Sequence, residues 1–377
     1  MNDPRTNAAA SPDAASLASE VLARTERLAS IPAPTGEESV RAAVVRDWWT
    51  GDGWTHAHID GVGNVWAEVS QGEGPALLLG GHLDTVFGRE IIHGARRDGE
   101  RLLGPSVADD SVAVAALSAV GSLLRDAGAG PIWLVATVGE EGLGNLIGIR
   151  NALASPPQPI GAFLAVEGNY LGRVSITGVG SIRRRVYVSG PGGHAWEAAD
   201  APSAVIATAK IVAALDALGT RGVPGTRISV NVGRMGGGEA VNARAREAWF
   251  DLEVRAEGPA ALAALERAAD QEIARGAEGF RVESDDLGGR PAGGIGEDHP
   301  LAGAAAEALA EAGITPSFVP TSTDANAAHQ VGIPAVAVGV TTGGGEHTLG
   351  EWIDVPPIAA GLEILAATVT RYRAGLR

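Results

Sequence analysis

Four apolar runs in this chain are continuous enough to be strands buried on both faces, and each leads to an acid or a histidine. They are PALLLGGH, which reaches His82; WLVATVGEE, which reaches Glu140 and Glu141; AFLAVEG, which reaches Glu167; and AVAVGVTTGGGEHT, which reaches His347. Unbroken runs of this kind belong to a parallel sheet covered by helices, because a strand with one wet face would alternate. Ligands of open parallel sheets collect just beyond the carboxyl ends of the strands. In GHLDTV, His82 stands at such an end with Asp84 one pleat away to steer its ring, and the loop GPSVADDS adds Asp109 and Asp110. Two histidines and several carboxylates converging on one sheet edge describe a metal centre.

Strand runs alternate with helical ones such as EESVRAAVVRDWW and SVAVAALSAVGSLLRDAG, which predicts an α/β fold with a mostly parallel central sheet. The pattern changes near Gly178. SIRRRVYVS, APSAVIATAKIVAALDALG, RISVNVGRM, EAWFDLEVR, GPAALAALERAADQEIARGA and FRVESD read in order as βαββαβ, the ferredoxin-like unit. The expected organisation is therefore a disordered tail over 1–15, a metal-binding domain over 16–178 and 288–377, and an inserted domain over 179–287. A chain of 377 residues is long enough for two cores.

Composition narrows the chemistry. The chain has no cysteine, so a metal must be held by imidazole and carboxylate, which suits zinc, cobalt or manganese. A net charge of −16 argues against nucleic acid and anionic membrane as partners. No apolar stretch approaches the roughly 20 residues of a membrane span, and the N-terminus lacks the pattern of a signal peptide. A soluble, cytoplasmic protein is the default expectation.

The ordered set of His-x-Asp, Asp loop, Glu-Glu, strand-end Glu and late His resembles the M20 metallopeptidase and deacylase family, from PAPTGEE through to EHTLGEWI. The resemblance implies two divalent ions, expected to be zinc. His82 and Glu167 would hold one, Glu141 and His347 the other, and Asp109 would bridge them. Three carboxylates leave two divalent ions with one net positive charge, and each ion keeps an open position, as catalytic sites do. It further implies that Asp84 orients His82 and that Glu140 is the general base that takes a proton from water and passes it to the leaving amine. A cis peptide is implied at Asp109–Asp110. In the inserted domain, to which the resemblance rather than the pattern gives a lid or dimerisation role beside a catalytic metal-binding domain, His194 of GPGGHAWE would stabilise the oxyanion, often in a partner subunit's site. Asn242 and Arg255 would bind substrate, Arg255 by gripping a carboxylate through its fork, with backbone N–H groups of Gly343, Gly344 and Gly345 assisting.

The reading that follows is a dinuclear hydrolase cleaving an amide beside a free carboxylate, in a di- or tripeptide or, alternatively, an N-acyl amino acid. A homodimer through the inserted domain is expected, and a silent amino-acid-binding protein is the further alternative. The chain departs from the family at Ala108, Asp110, Trp196, Ala243 and Arg244, which bears on substrate choice rather than on the metal set. Asp110 reads as structural. His56, His58, His93 and His299 read as surface or structural residues, and His329 as a support for the site at most. Alternation puts Arg183, Arg184 and Arg185 on both faces of a strand. Glycines 236–238 lack the Lys-Ser/Thr of a phosphate loop.

Overall fold

A computed structural model describes residues 13–222 and 225–376. Along the chain, α1 (Ala14–Ala29) and α2 (Ser39–Gly51) precede β1 (Thr55–Ile59), β2 (Val65–Ser70) and β3 (Ala76–His82). A hairpin of β4 (Arg96–Asp98) and β5 (Arg101–Leu103) leads through the turn Val107–Ser111 into α3 (Val112–Leu124). Then come β6 (Ile132–Thr137), α4 (Ile147–Ala154), β7 (Ile160–Glu167) and β8 (Arg173–Ser175). The next stretch holds β9 (Thr177–Ser189), β10 (Gly193–His194), α5 (Ala204–Arg221), β11 (Ile228–Gly237), β12 (Ala243–Arg244), β13 (Glu247–Glu257), α6 (Pro259–Gly276), β14 (Arg281–Arg290) and β15 (Gly293–Gly294). The last holds α7 (Pro300–Glu311), β16 (Ser317–Phe318), α8 (Ala325–Gln330), β17 (Ala335–Gly339), β18 (Gly343–Gly344), β19 (Trp352–Asp354) and α9 (Ile358–Gly375).

The expected tail over 1–15 falls partly outside the described residues. Ala14 and Ala15, however, are the start of α1, whose N-terminus Asp13 caps by accepting the Ser16 N–H at 2.7 Å. The chain divides into two compact units. One comprises residues up to Ile176, Ile295–Val319 and Thr323 onward; the other comprises Thr177–Gly294 with Pro320–Ser322. The divisions lie a few residues outside 179–287 because β9 and β14 run unbroken across those positions.

In the first unit an eight-stranded sheet has the order β1-β2-β6-β3-β7-β17-β8-β16. Its four central strands, β6, β3, β7 and β17, are mutually parallel, so their carboxyl ends share one edge. Successive residues feed two separate cores. Leu77, Leu79, Leu164 and Val338 pack into the core that contains α1, α3, α7 and α9, while Leu78, Phe163, Ala165 and Ala337 pack with residues of α4 and α8. Leu77, Leu78 and Leu79 are at most 1% exposed, and a fully buried leucine contributes roughly 1.5–3 kcal/mol each. That burial on both faces is why the runs read as continuous. Val107–Leu124 does reach the length and apolarity of a short membrane span, contrary to the expectation, but 83% of it is buried; it is a core helix.

In the second unit β11, β13, β9 and β14 form an antiparallel sheet in that order, the arrangement of a βαββαβ unit. Phe250, Leu252 and Val254 meet Ile211, Leu215 and Leu265 of α5 and α6 on one face. Ion pairs line the other, joining Arg183 and Arg255 to Glu253 and Arg185 to Asp251. Arg184 points the opposite way, toward Asp270 of α6, as the alternation requires.

Candidate metal centre

The parallel strands deliver the expected ligands to one edge. His82 ends β3, Glu167 ends β7, Glu141 follows β6 and His347 follows β17. Close backbone approach lets them meet. A Cβ on Gly168 would lie 1.9 Å from the Ala108 carbonyl oxygen, so only glycine lets the end of β7 pack against the Asp109 loop. A Cβ on Gly81 would lie 2.8 Å from Asp110 Oδ2. Its absence lets Asp110 accept the His82 N–H through Oδ2 and the Gly168 N–H through Oδ1, both at 3.0 Å. Asp110 therefore clips the ends of β3 and β7 together with both oxygens occupied, a structural role.

Asp109 lies between the two histidines. Its Oδ1 is 2.8 Å from His82 Nε2 and its Oδ2 is 3.0 Å from His347 Nε2. His347 Nε2 is also 3.1 Å from Glu141 Oε1. Donor atoms of His82, Asp109 and Glu141 fall within 4.8 Å of one another, as do those of His82, Asp110 and Glu167. Two ligands about one tetrahedral ion sit roughly 3.3 Å apart, so this spacing suits a metal; the two groups have His82 in common, His347 joins Asp109 and Glu141, and Glu167 falls beside Asp110 rather than in a group with Asp109. The Asp109–Asp110 peptide is cis. His347 is the open member, its side chain 55% exposed against 3% for His82, so solvent reaches the cluster beside His347.

The His82 tautomer follows from its other nitrogen. Nδ1 lies 3.1 Å from the Asp84 backbone oxygen, which can only accept, so Nδ1 carries a proton and Nε2 is the nitrogen directed at Asp109. Asp84 thus orients the ring mainly through its carbonyl; its carboxylate Oδ1 is further, at 3.5 Å. That carboxylate has a second task the sequence did not reveal. Oδ1 accepts the Glu140 N–H at 3.0 Å and Oδ2 the Glu141 N–H at 2.9 Å, with Thr35 Oγ1 donating to Oδ2 at 2.9 Å. One buried carboxylate fixes the backbone of both adjacent glutamates. The PAPTGEE segment braces the same place, since Glu38 Oε1 accepts the N–H of Gly36 and of Gly139 at 2.8 and 3.2 Å.

Electrostatics match this crowding. Burial raises the Glu167 and Asp110 carboxyls well above the usual range, and their neighbouring negative charges add to the effect. Burial acts against Asp109 too, but hydrogen bonds from His347 and His82 reverse it and hold that carboxyl far below the usual range. Burial would lower His82, yet its bonds to Asp109 and Asp84 carry it well above its ordinary value. Carboxylates that resist ionising together, beside imidazoles that attract protons, are a field that divalent cations relieve.

Two buried charges escaped the sequence reading. Arg41, 1% exposed, donates to the Ile31 and Leu83 carbonyls at 3.0 Å each and to Ser106 Oγ at 2.8 Å. It joins the segments before Thr35, after His82 and before Asp109. Burial lowers it to about 10 against the pull of Asp84, Glu351 and Asp110, so it remains a cation at neutral pH among those carboxylates. The other is Glu351, fully buried behind Asp109.

The remaining candidates lie in the second unit. His194 in β10 pairs with Ala243 of β12, and the Ala195 N–H donates to the Asn242 carbonyl at 2.8 Å, so His194 and Asn242 are neighbours. His194 Nδ1 accepts the N–H of Trp196 and Glu197 at 3.3 and 3.4 Å, which leaves the proton on Nε2. The fork through which Arg255 is expected to grip a substrate carboxylate is already occupied: Nε and Nη2 donate to Glu253 at 2.8 and 2.9 Å. It lines a cleft of about 350 Å³ with Arg227, Ser229, Thr321 and Ser322. Back in the first unit, Gly343 and Gly344 form β18 against β19, and Gly345 turns with φ +76°.

The other histidines are structural. His299 caps α7 by accepting the Leu301 N–H at 3.1 Å, His56 stacks on Trp133, His58 meets the His56 carbonyl, and His93 meets the Gly88 carbonyl. His329 ends α8 with a buried Nε2 that has no hydrogen-bond partner among the described residues.

Sheet and cluster together define an α/β protein with a histidine–carboxylate metal centre at the carboxyl edge of its parallel strands. The family model for peptidase family M20/M25/M40 matches residues 78–371, and the chain belongs to that family of hydrolases. A solved tripeptidase from Staphylococcus aureus shares 20% identity, 95% of this chain and 99% of that one, with a TM-score of 0.80. A dinuclear metal-binding peptidase of family M20 from Bacillus subtilis shares 17% identity, 94% of this chain and 98% of that one, with a TM-score of 0.68. Among curated proteins, a putative [LysW]-lysine/[LysW]-ornithine hydrolase of Pyrococcus abyssi is 44% identical over 63 residues, spanning 17% of this chain and 18% of that protein's length.

Proposed function

We propose that the chain is a two-metal exopeptidase that cleaves an amide beside a free carboxylate in a di- or tripeptide. The observation that carries this is Asp109, whose two oxygens separately face His82 and His347 at 2.8 and 3.0 Å. His82 with Glu167 would hold one ion and Glu141 with His347 the other, zinc being expected. When bound, the pair polarises the scissile carbonyl and acidifies water.

The chain's own side chains do the rest. Glu140, its backbone fixed by Asp84, accepts a proton from the attacking water and returns it to the leaving amine. His194 donates from Nε2 to the developing oxyanion, which suits a ring whose Nδ1 already accepts two backbone N–H groups. Asn242, Gly344 and Gly345 contribute contacts to the substrate. For Arg255 to grip the substrate carboxylate, that carboxylate takes Nη1 or displaces Glu253 from the fork. Pairing of two copies through the second unit belongs to the same proposal, supported by β11 and β14 ending its sheet.

Assay of di- and tripeptides beside N-acetyl and N-succinyl amino acids tests the substrate class; turnover confined to the acylated amino acids would move the assignment to deacylation. Glu140→Ala should retain two ions and lose activity by roughly 10²–10⁴-fold. Unchanged turnover on every cleaved substrate would end the assignment of Glu140.

A further inference from the structure

The turn that supplies His347 ends, four residues later, in a carboxylate that no ligand set uses. Glu351 is 0% exposed although Gly350 beside it is exposed. Its Oε1 accepts the backbone N–H of Ala108 at 2.7 Å and of Asp109 at 2.9 Å. Its backbone carbonyl accepts the Gly104 N–H at 2.9 Å, so the residue holds the Asp109 loop at both ends. The turn itself is closed, the Thr348 N–H donating to Gly345 and the Glu351 N–H to Thr348. A single five-residue segment thus meets Asp109 twice: His347 at the side-chain Oδ2, and Glu351 at the main-chain nitrogen.

That double contact has a geometric consequence. A bridging carboxylate must present each oxygen to a different ion, so both the position of its Cα and the plane of its carboxyl are constrained. The side chain alone can rotate about two bonds; the peptide before it must be fixed for both oxygens to arrive together. Among the described residues, the side-chain oxygens of Asp109 meet His82 and His347, the groups they have to reach, so the fixing falls to the main chain.

We propose that Glu351 is the positioning residue of the bridging aspartate: by fixing the Ala108 and Asp109 N–H groups it sets Oδ1 toward His82 and Oδ2 toward His347, and so sets how tightly two ions are held as a coupled pair. The inference rests on the dinuclear reading of the site. A role limited to satisfying two buried N–H groups would alter the stability of the fold and leave metal–metal coupling untouched.

The test uses full-length protein stripped of metal and titrated with manganese(II), followed by calorimetry and by electron paramagnetic resonance. Two manganese ions sharing a carboxylate give an exchange-coupled spectrum, and separate ions give the six-line signal of isolated manganese. Wild type and Glu351→Gln, whose amide oxygen can accept the same two N–H groups, should both bind a coupled pair. Glu351→Leu should bind at least one ion ten- to a hundredfold more weakly, the usual cost of removing a group that orients a ligand, and show the uncoupled signal. Glu351→Leu binding a coupled pair with wild-type affinity would overturn the proposal while leaving the dinuclear reading intact. Wild type failing to bind a pair would overturn both. If the leucine variant does not fold, Glu351→Asp decides, since a side chain one methylene shorter withdraws its oxygen from both N–H groups that Oε1 now accepts: loss of coupling supports the proposal, and a retained coupled pair refutes it.

Discussion

Asp84→Asn isolates the buried carboxylate that accepts two hydrogen bonds from the Glu140–Glu141 turn and a third from Thr35. The amide keeps one oxygen and replaces the other with an NH2 group. With NH2 in the place of Oδ2, it would face the Glu141 N–H, now received at 2.9 Å. With NH2 in the place of Oδ1, it faces the Glu140 N–H, now received at 3.0 Å, while Thr35 can keep its bond to the oxygen. The second orientation is the less costly, and it still leaves one buried donor opposed to another. Losing a buried partner costs about 1–3 kcal/mol, and the bonds that remain lose their ionic strengthening, adding about 1 kcal/mol. The sum, about 2–4 kcal/mol, corresponds to a fall in kcat/KM of roughly 30- to 900-fold at 1.36 kcal/mol per decade. The assay is kcat/KM on whichever peptide the wild type cleaves, at saturating metal, with bound metal quantified in parallel. Activity within twofold of wild type would refute the claim that Asp84 holds the backbone of Glu140 and Glu141.

Two further outcomes follow from the same geometry. Gly168→Ala should unseat the Asp109 loop from the end of β7, because its Cβ would meet the Ala108 oxygen at 1.9 Å. A destabilisation of at least about 2 kcal/mol with weakened metal binding is expected, measured by thermal unfolding and metal titration; a neutral variant would contradict the packing. Burial lowers the His329 imidazole to about 4 from 6.5, so the unfolded chain binds its proton first as pH falls. This group therefore removes stability between about pH 6.5 and 4, by about 2 kcal/mol once partial exposure is allowed for, and none above that window. His329→Leu should erase that slope, and a wild-type-minus-variant stability difference constant from pH 7 to 4.5 would sink the argument.

The four central strands were legible because burial on both faces leaves an unbroken apolar run; β3 and β7 end at His82 and Glu167, β6 ends three residues before Glu140, and β17 ends at Gly339, with His347 in the turn beyond. The βαββαβ order was legible for the complementary reason: β9 and β13 alternate, with one face on α5 and α6 and the other charged. The sheet of β4, β5, β18 and β19 was not, since its strands are two or three residues long and pair across the chain, Trp352 opposite Leu103. α9 carried a readable apolar period that the sequence reading left unassigned. Arg41 did leave a signal. It sits on the same stripe of α2 as Ala42, Val45 and Trp49, and a charge on an apolar stripe asks for buried partners. Glu351 left none, because only the fold brings Ala108 and Asp109 to it. The fork of Arg255 on Glu253 follows from the two-residue period of β13, which puts both side chains of DLEVR on one face.

The most direct test of the dinuclear site is anomalous diffraction from crystals of the purified protein, collected at the absorption edge of the metal it carries. The account predicts two peaks, about 3.5–4 Å apart, one against His82 and Glu167, the other against Glu141 and His347, with Asp109 between them. A single peak, or a pair bound away from Asp109 in active protein, would contradict it.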